Sequence, residues 1–126
     1  MRALQAQELV SELGLKVKAM TREGSVRMVS GGVTGDVLSY VMSSARPGDA
    51  WVTVQTHENV VAVAAVSDVS CVIICQRDVP EATVERAIAE GITLLWSDRT
   101  AFEVSGRLFQ VLGLGTTVSG VNAATE

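Results

Sequence analysis

The sequence predicts an α/β fold: a small three-layer domain with a mostly parallel sheet and helices on both faces. Three observations carry this expectation. Residues 70–75 are a short β-branched run, apolar on both faces, as a strand covered by helices on each side requires. Residues 48–75, GDAWVTVQTHENVVAVAAVSDVSCVIIC, read as strand, polar loop, buried helix and strand, a single βαβ unit. Strands begin near Met28, Trp51, Cys71 and Ile92, at a step of about twenty residues, and each leads through a polar loop into a helical pattern. A chain of 126 residues suffices for one domain with a real core.

Leu4, Leu9, Val10 and Leu13 recur at helical spacing before Gly14, which predicts a helix over 3–13. Residues 15–19 then alternate, with Leu15, Val17 and Ala19 on one face and Lys16 and Lys18 on the other. That is a half-exposed edge strand whose lysines discourage mispairing. Residues 22–25 read as a polar turn and 26–30 as a strand. Gly31, Gly32, Thr34 and Gly35 read as a flexible loop ending at Asp36. Asp36 or Thr34 serves as N-cap of a helix over 36–45 that buries Val37, Leu38 and Val41, with Tyr40 and Met42 beside them.

After the turn Arg46-Pro47-Gly48-Asp49 come a strand over 51–54, a polar loop over 55–59, a helix over 60–66 and the strand over 70–75. A helix over 81–90 turns Val84, Ala87 and Ile88 inward, Gly91 caps it, and 92–96 form the last strand. A helix over 99–112 packs Phe102, Val104 or Ser105, Leu108 and Phe109 inward. From Gly113 the chain is small, polar and glycine-rich. Residues 1–112 are therefore expected to form one domain and 113–126 a flexible tail.

Composition excludes several classes. The net charge is -4 and no block of Lys or Arg offers a phosphate-binding stripe, which argues against nucleic acid. The most apolar window, 60–75, is broken by Ser67, Asp68 and Ser70 and falls short of the ~20 residues of a membrane span. Arg2, Gln5, Gln7 and Glu8 interrupt any apolar leader. Cys71 and Cys75 share one face of a strand with Cα atoms about 13 Å apart, too far for a disulfide. Two free buried cysteines suit a reducing cytoplasm, the expected location.

In a parallel sheet every loop that follows a strand lies on one edge, and ligands favour that edge. The loops 31–36, 55–59, 76–79 and 97–100 should gather there. The candidate ligand-binding residues are Gly32, Thr34, Gly35, Asp36, Gln55, His57, Asn59 and Arg99. GGVTGD looks like an anion loop, because glycines before a helix expose amides, yet it lacks the Lys-Ser/Thr of a Walker A loop. The simpler reading, and the one favoured by the residues, is a glycine-rich turn with an Asp cap. His57, the single histidine, has no second ligand or orienting carboxylate in its segment, so no metal and no cofactor are expected. Asp98-Arg99-Thr100 opens the last helix, with Asp98 as its N-cap. No serine or cysteine has a base beside it.

The chain resembles the DRTGG domain family over roughly residues 3–110. The likeness rests on Gly35-Asp36-Val37-Leu38, on Gly48-Asp49-Ala50-Trp51 running into Thr53-Val54-Gln55, on His57-x-Asn59-Val60-Val61-Ala62, and on Ala101-Phe102-Glu103 after a strand. The name-giving pentapeptide is not intact: Asp98-Arg99-Thr100 is followed by Ala101. Such domains resemble the non-catalytic N-terminal domain of HPr kinase/phosphorylase. They occur beside adenine-nucleotide-binding CBS modules, in some phosphotransacetylases, and alone near iron-only hydrogenase subunits.

The resemblance implies a non-catalytic regulatory or interaction module, often a homodimer, that senses a small anionic ligand or nucleotide or binds a protein partner. It further implies a link to hydrogenase or carbon-metabolism regulation. Kinase activity is not expected without the phosphate-loop lysine. The alternatives are a small enzyme using His57 with Asp36 or Asp98 as acid and base, or a protein-only scaffold.

Overall fold

A computed structural model describes residues 2–115. Thirteen elements follow one another. They are β1 (Leu4–Gln5), α1 (Ala6–Leu13), β2 (Lys16–Ala19), α2 (Arg22–Val26), β3 (Met28–Val29), β4 (Gly31–Thr34), α3 (Leu38–Ser44), β5 (Asp49–Thr53), α4 (Asn59–Ser67), β6 (Cys71–Cys75), α5 (Glu81–Glu90), β7 (Leu94–Ser97) and α6 (Ala101–Val111). The main sheet has the order β2-β7-β6-β5-β4. Strands β4 to β7 are parallel and β2 pairs antiparallel with β7 at one edge. The expected α/β class with a mostly parallel sheet is therefore present.

Alternation along the strands creates two cores. Ala50, Val52, Cys71, Ile73, Cys75 and Leu95 face α1 and α6 through Leu9, Leu13, Val104 and Leu108. Trp51, Val72, Ile74 and Leu94 face the other way, toward α3, α4 and α5 through Val41, Val60, Val61, Ala64 and Ala87. The sheet is thus the middle of three layers. All of β5 and β6 is buried, because strands covered on both faces have no solvent side. Cys71 and Cys75 are free and buried on one face, as expected.

The glycine-rich loop expected over 31–35 is instead mostly strand: Gly31–Thr34 pair in register with β5. Glycine suits this strand because neighbours press on it. A Cβ on Gly31 would lie 2.8 Å from Asp49 Oδ1, and one on Gly32 would lie 2.7 Å from a Leu108 methyl of α6. The strand expected over 26–30 shrinks to Met28–Val29 and pairs antiparallel with Leu4–Gln5 in a separate two-stranded sheet. The first helix accordingly starts at Ala6, where the Glu8 carboxylate accepts from the Gln5 amide at 2.7 Å. The expected turn over 22–25 is α2, capped by Thr21, which accepts from the Gly24 amide.

The edge strand β2 carries a bulge. Val17 pairs with Leu95 and Ala19 with Leu94, so one extra residue, Lys18, is inserted. Leu94 and Leu95 face opposite cores, hence Val17 and Ala19 do not share a face as expected; Val17 is exposed and Ala19 buried.

Three helix faces also need correction. Ile88 is 61% exposed; α5 turns Ala87 inward as expected, with Thr83 buried and Val84 partly buried beside it. In α6 the inner positions are Val104 and Leu108, one turn apart, whereas Phe102 is 90% exposed and Phe109 half-exposed. Val37 is exposed and lies before α3. Residues 113–115 extend the end of α6, with Leu114 packed on the core, and the rest of the expected tail lies outside the described residues. Among the described residues no helix is long and apolar enough to cross a membrane.

Candidate ligand-binding edge

The parallel strands all end on one edge, so the connections after β4, β5, β6 and β7 gather there. Those after β4, β5 and β6 lead to α3, α4 and α5 on one face, whereas the connection after β7 leads to α6 on the other. Adjacent connections that diverge to opposite faces open a crevice at the strand ends. In this topology the divergence lies between β6 and β7.

Asp36 clamps the β4–α3 connection to β5. Its Oδ1 accepts from Thr53 Oγ1 and from the Val54 amide, both at 2.9 Å. Gln55 Nε2 donates to the Asp36 carbonyl at 2.9 Å, and the buried indole of Trp51 donates to the Gly35 carbonyl at 2.8 Å. A Cβ on Gly35 would lie 3.0 Å from the Tyr40 ring, so the chain passes close to that side chain. Neither expected cap is realised: the N-cap position of α3 is Val37, without a side-chain hydrogen bond, because the Asp36 carboxylate is turned toward β5.

His57 Nδ1 accepts from the Asn59 amide at 3.0 Å and thereby shapes the start of α4. The same connection is fastened to α5, where buried Thr83 donates to the Thr56 carbonyl and Glu58 pairs with Arg86. Thr34 shares a hydrogen bond with Ser105 of α6 at 2.7 Å, and Gly32 packs beneath Leu108.

Arg99 is tied to the end of α1. Its guanidinium donates to the Leu13 carbonyl at the end of α1 and pairs with Glu103 at 2.9 Å. Thr100, not Asp98, caps α6 by accepting from the Glu103 amide.

The eight sequence candidates thus fall into four places. Asp36, Gln55 and Gly35 form the clamp, His57 and Asn59 a local cap, Thr34 and Gly32 a contact with α6, and Arg99 a tie to α1. Thr53, Trp51 and Thr83, which hold these parts together, were not among them. Their signal was hidden because each finds its partner 16 to 27 positions away.

Both thiols are held protonated. Burial pushes Cys71 up to about 12, and burial with the nearby Asp36 charge pushes Cys75 up to about 11. Neither is an activated nucleophile. Among the described residues no group of three or more His, Cys, Asp or Glu could hold a metal ion.

No protein-family model matches the chain, and no curated protein matches it. Solved structures do. One is the CBS and DRTGG domains of the regulatory region of Clostridium perfringens pyrophosphatase, complexed with its activator, diadenosine tetraphosphate. The likeness has a TM-score of 0.68 at 16% identity and covers 84% of this chain and 46% of that one. The chain thus spans just under half of that structure and shares its α/β architecture.

Proposed function

We propose that this chain is a non-catalytic regulatory module of the DRTGG type, with residues 1–112 as the working unit, that responds to a small anionic ligand or nucleotide. What carries the reading is the architecture common to this chain and a regulatory region known in complex with a nucleotide activator. The use of polar side chains at the sheet edge supports it. Asp36, Thr53, Gln55 and Thr83 fasten connections to one another, and His57 bonds a backbone amide rather than a carboxylate. An edge braced in this way transmits binding at one connection to its neighbours.

The module acts as a homodimer. Its association surface is the β4 end of the sheet, where α3 and α6 flank the edge strand and leave Tyr40, Met42, Phe102 and Phe109 exposed.

Isothermal titration calorimetry of the purified chain with ATP, AMP and diadenosine tetraphosphate tests the ligand reading. The expected result is saturable binding of at least one, with no turnover. Absence of heat for all three up to millimolar concentration would refute it. So would hydrolysis of any of them that is lost on His57→Ala.

A further inference from the structure

We infer that a nucleotide is seated in the cleft across the end of β7, between β2 and the loop after β6, its base on the Trp96 indole and its phosphates on Lys16 and Lys18. This rests on the ligand-sensing reading above and assigns it a place. Trp96 is near the end of β7, where the connections diverge to opposite faces. Its Nε1 donates to the Arg77 carbonyl at 2.9 Å, so the ring spans from β7 to the loop after β6 and is held there. The ring is only partly buried, with an open cleft of about 360 Å³ beside it lined by Lys16, Lys18, Asp78 and Val79. That volume is within the range of small-molecule sites, roughly 300–1,000 Å³.

The charges are arranged for an anion. Lys16 is directly opposite Trp96 across the antiparallel pair, and the bulge at Lys18 brings a second ammonium to the same ring. Their Nζ atoms lie 5.4 and 6.0 Å from its centroid. Neither lysine has a carboxylate partner within ion-pair distance among the described residues; Arg27, Arg86, Arg99 and Arg107 are paired, and Arg2, Arg22, Arg46 and Arg77 are not. Two unneutralised ammonium groups thus converge in a chain whose net charge is -4. Contact with an exposed aromatic face is weak, and flexible lysines leave it readily for phosphate oxygens. The vacated face then stacks a base, which any purine or pyrimidine satisfies. Asp78, which also lines the cleft, supplies an acceptor for a ribose hydroxyl or an exocyclic amine. The loop that carries Arg77 and Asp78 begins at Gln76, a non-glycine residue at φ +69°.

The test uses the full chain and three probes: ATP, inorganic triphosphate and adenosine. Trp51 is fully buried, so ligand-induced quenching reports Trp96. ATP should quench and bind, triphosphate should bind more weakly, and adenosine more weakly still. Lys16→Gln/Lys18→Gln should weaken ATP at least about tenfold. Trp96→Leu should bring ATP to the affinity of triphosphate. Calorimetry gives the affinities and circular dichroism checks that the variants are folded.

If ATP binds the wild type and the double lysine variant equally well, the seat is wrong and the ligand-sensing reading stands. ATP affinity unchanged by Trp96→Leu overturns the stacking role. If no probe binds the wild type, the seat and a nucleotide ligand both fail.

Discussion

Trp51→Phe probes the brace behind the sheet edge. Trp51 is fully buried in β5, between Val33 of β4 and Val72 of β6, and its indole N–H donates to the Gly35 carbonyl. Phenylalanine keeps the apolar contact and removes the donor. The lost hydrogen bond costs about 1 kcal/mol, slightly more if the carbonyl stays dry. Trimming the ring leaves a void. Complete truncation of a buried aromatic costs about 3–5 kcal/mol, so this partial one costs roughly 1–1.5.

The sum is about 2–2.5 kcal/mol, below the roughly 5–15 kcal/mol total stability of a domain, so the variant stays folded. At about 4 °C per kcal/mol the melting temperature should fall by about 8–10 °C. Urea unfolding followed by circular dichroism measures this, with the m-value unchanged.

Gly35 is next to Asp36, so the indole and the carboxylate brace one connection. A double-mutant cycle with Asp36→Ala should show a coupling of at least ~0.5 kcal/mol. A loss under about 0.5 kcal/mol in Trp51→Phe, or strict additivity in the cycle, would refute the reasoning that these two contacts act on one connection.

Two further outcomes are expected. The thiols of Cys71 and Cys75 ionise near 9.0 when unfolded and are raised to about 12 and about 11 when folded. Above pH 9 the unfolded chain sheds protons that the folded chain keeps, so stability should fall as pH rises from about 9 toward 11. Urea midpoints between about pH 7 and 10 check this; Cys71→Ala/Cys75→Ala should flatten the decline, and a decline of equal steepness in that variant counts against the thiols as its source. In solution, Tyr40→Glu should convert a dimer to a monomer by light scattering at micromolar concentration, because a two-fold contact would bury the new charge twice. A monomeric wild type defeats the dimer, and a dimeric variant defeats the surface.

What the amino-acid sequence determined by itself is what depends on neighbours in the chain. The apolar run at residues 70–75 required a strand covered on both faces, and it is β6. The helical spacing with Gly91 as a stop required α5, whose bounds match. Free buried cysteines followed from strand geometry alone. The alternation of Lys16 and Lys18 marked an edge strand, and β2 is one.

The tertiary structure decided the rest, because it depends on partners remote in sequence. Gly31 and Gly32 carry a loop signature, yet pairing with β5 and the close passage of α6 make them strand. Phe102 is apolar enough for a core, but α6 meets the sheet through Val104 and Leu108, and a helix has only one inward stripe. Asp36 is a reasonable cap by sequence, and the Thr53 hydroxyl with the Val54 amide drew it away. The juxtaposition of Lys16 with Trp96 needed the antiparallel register between the first strand of the main sheet and the last. Local periodicity specifies elements; which side chains converge on one crevice is set by strand order and by the face to which each connection turns, and no short stretch of sequence encodes either.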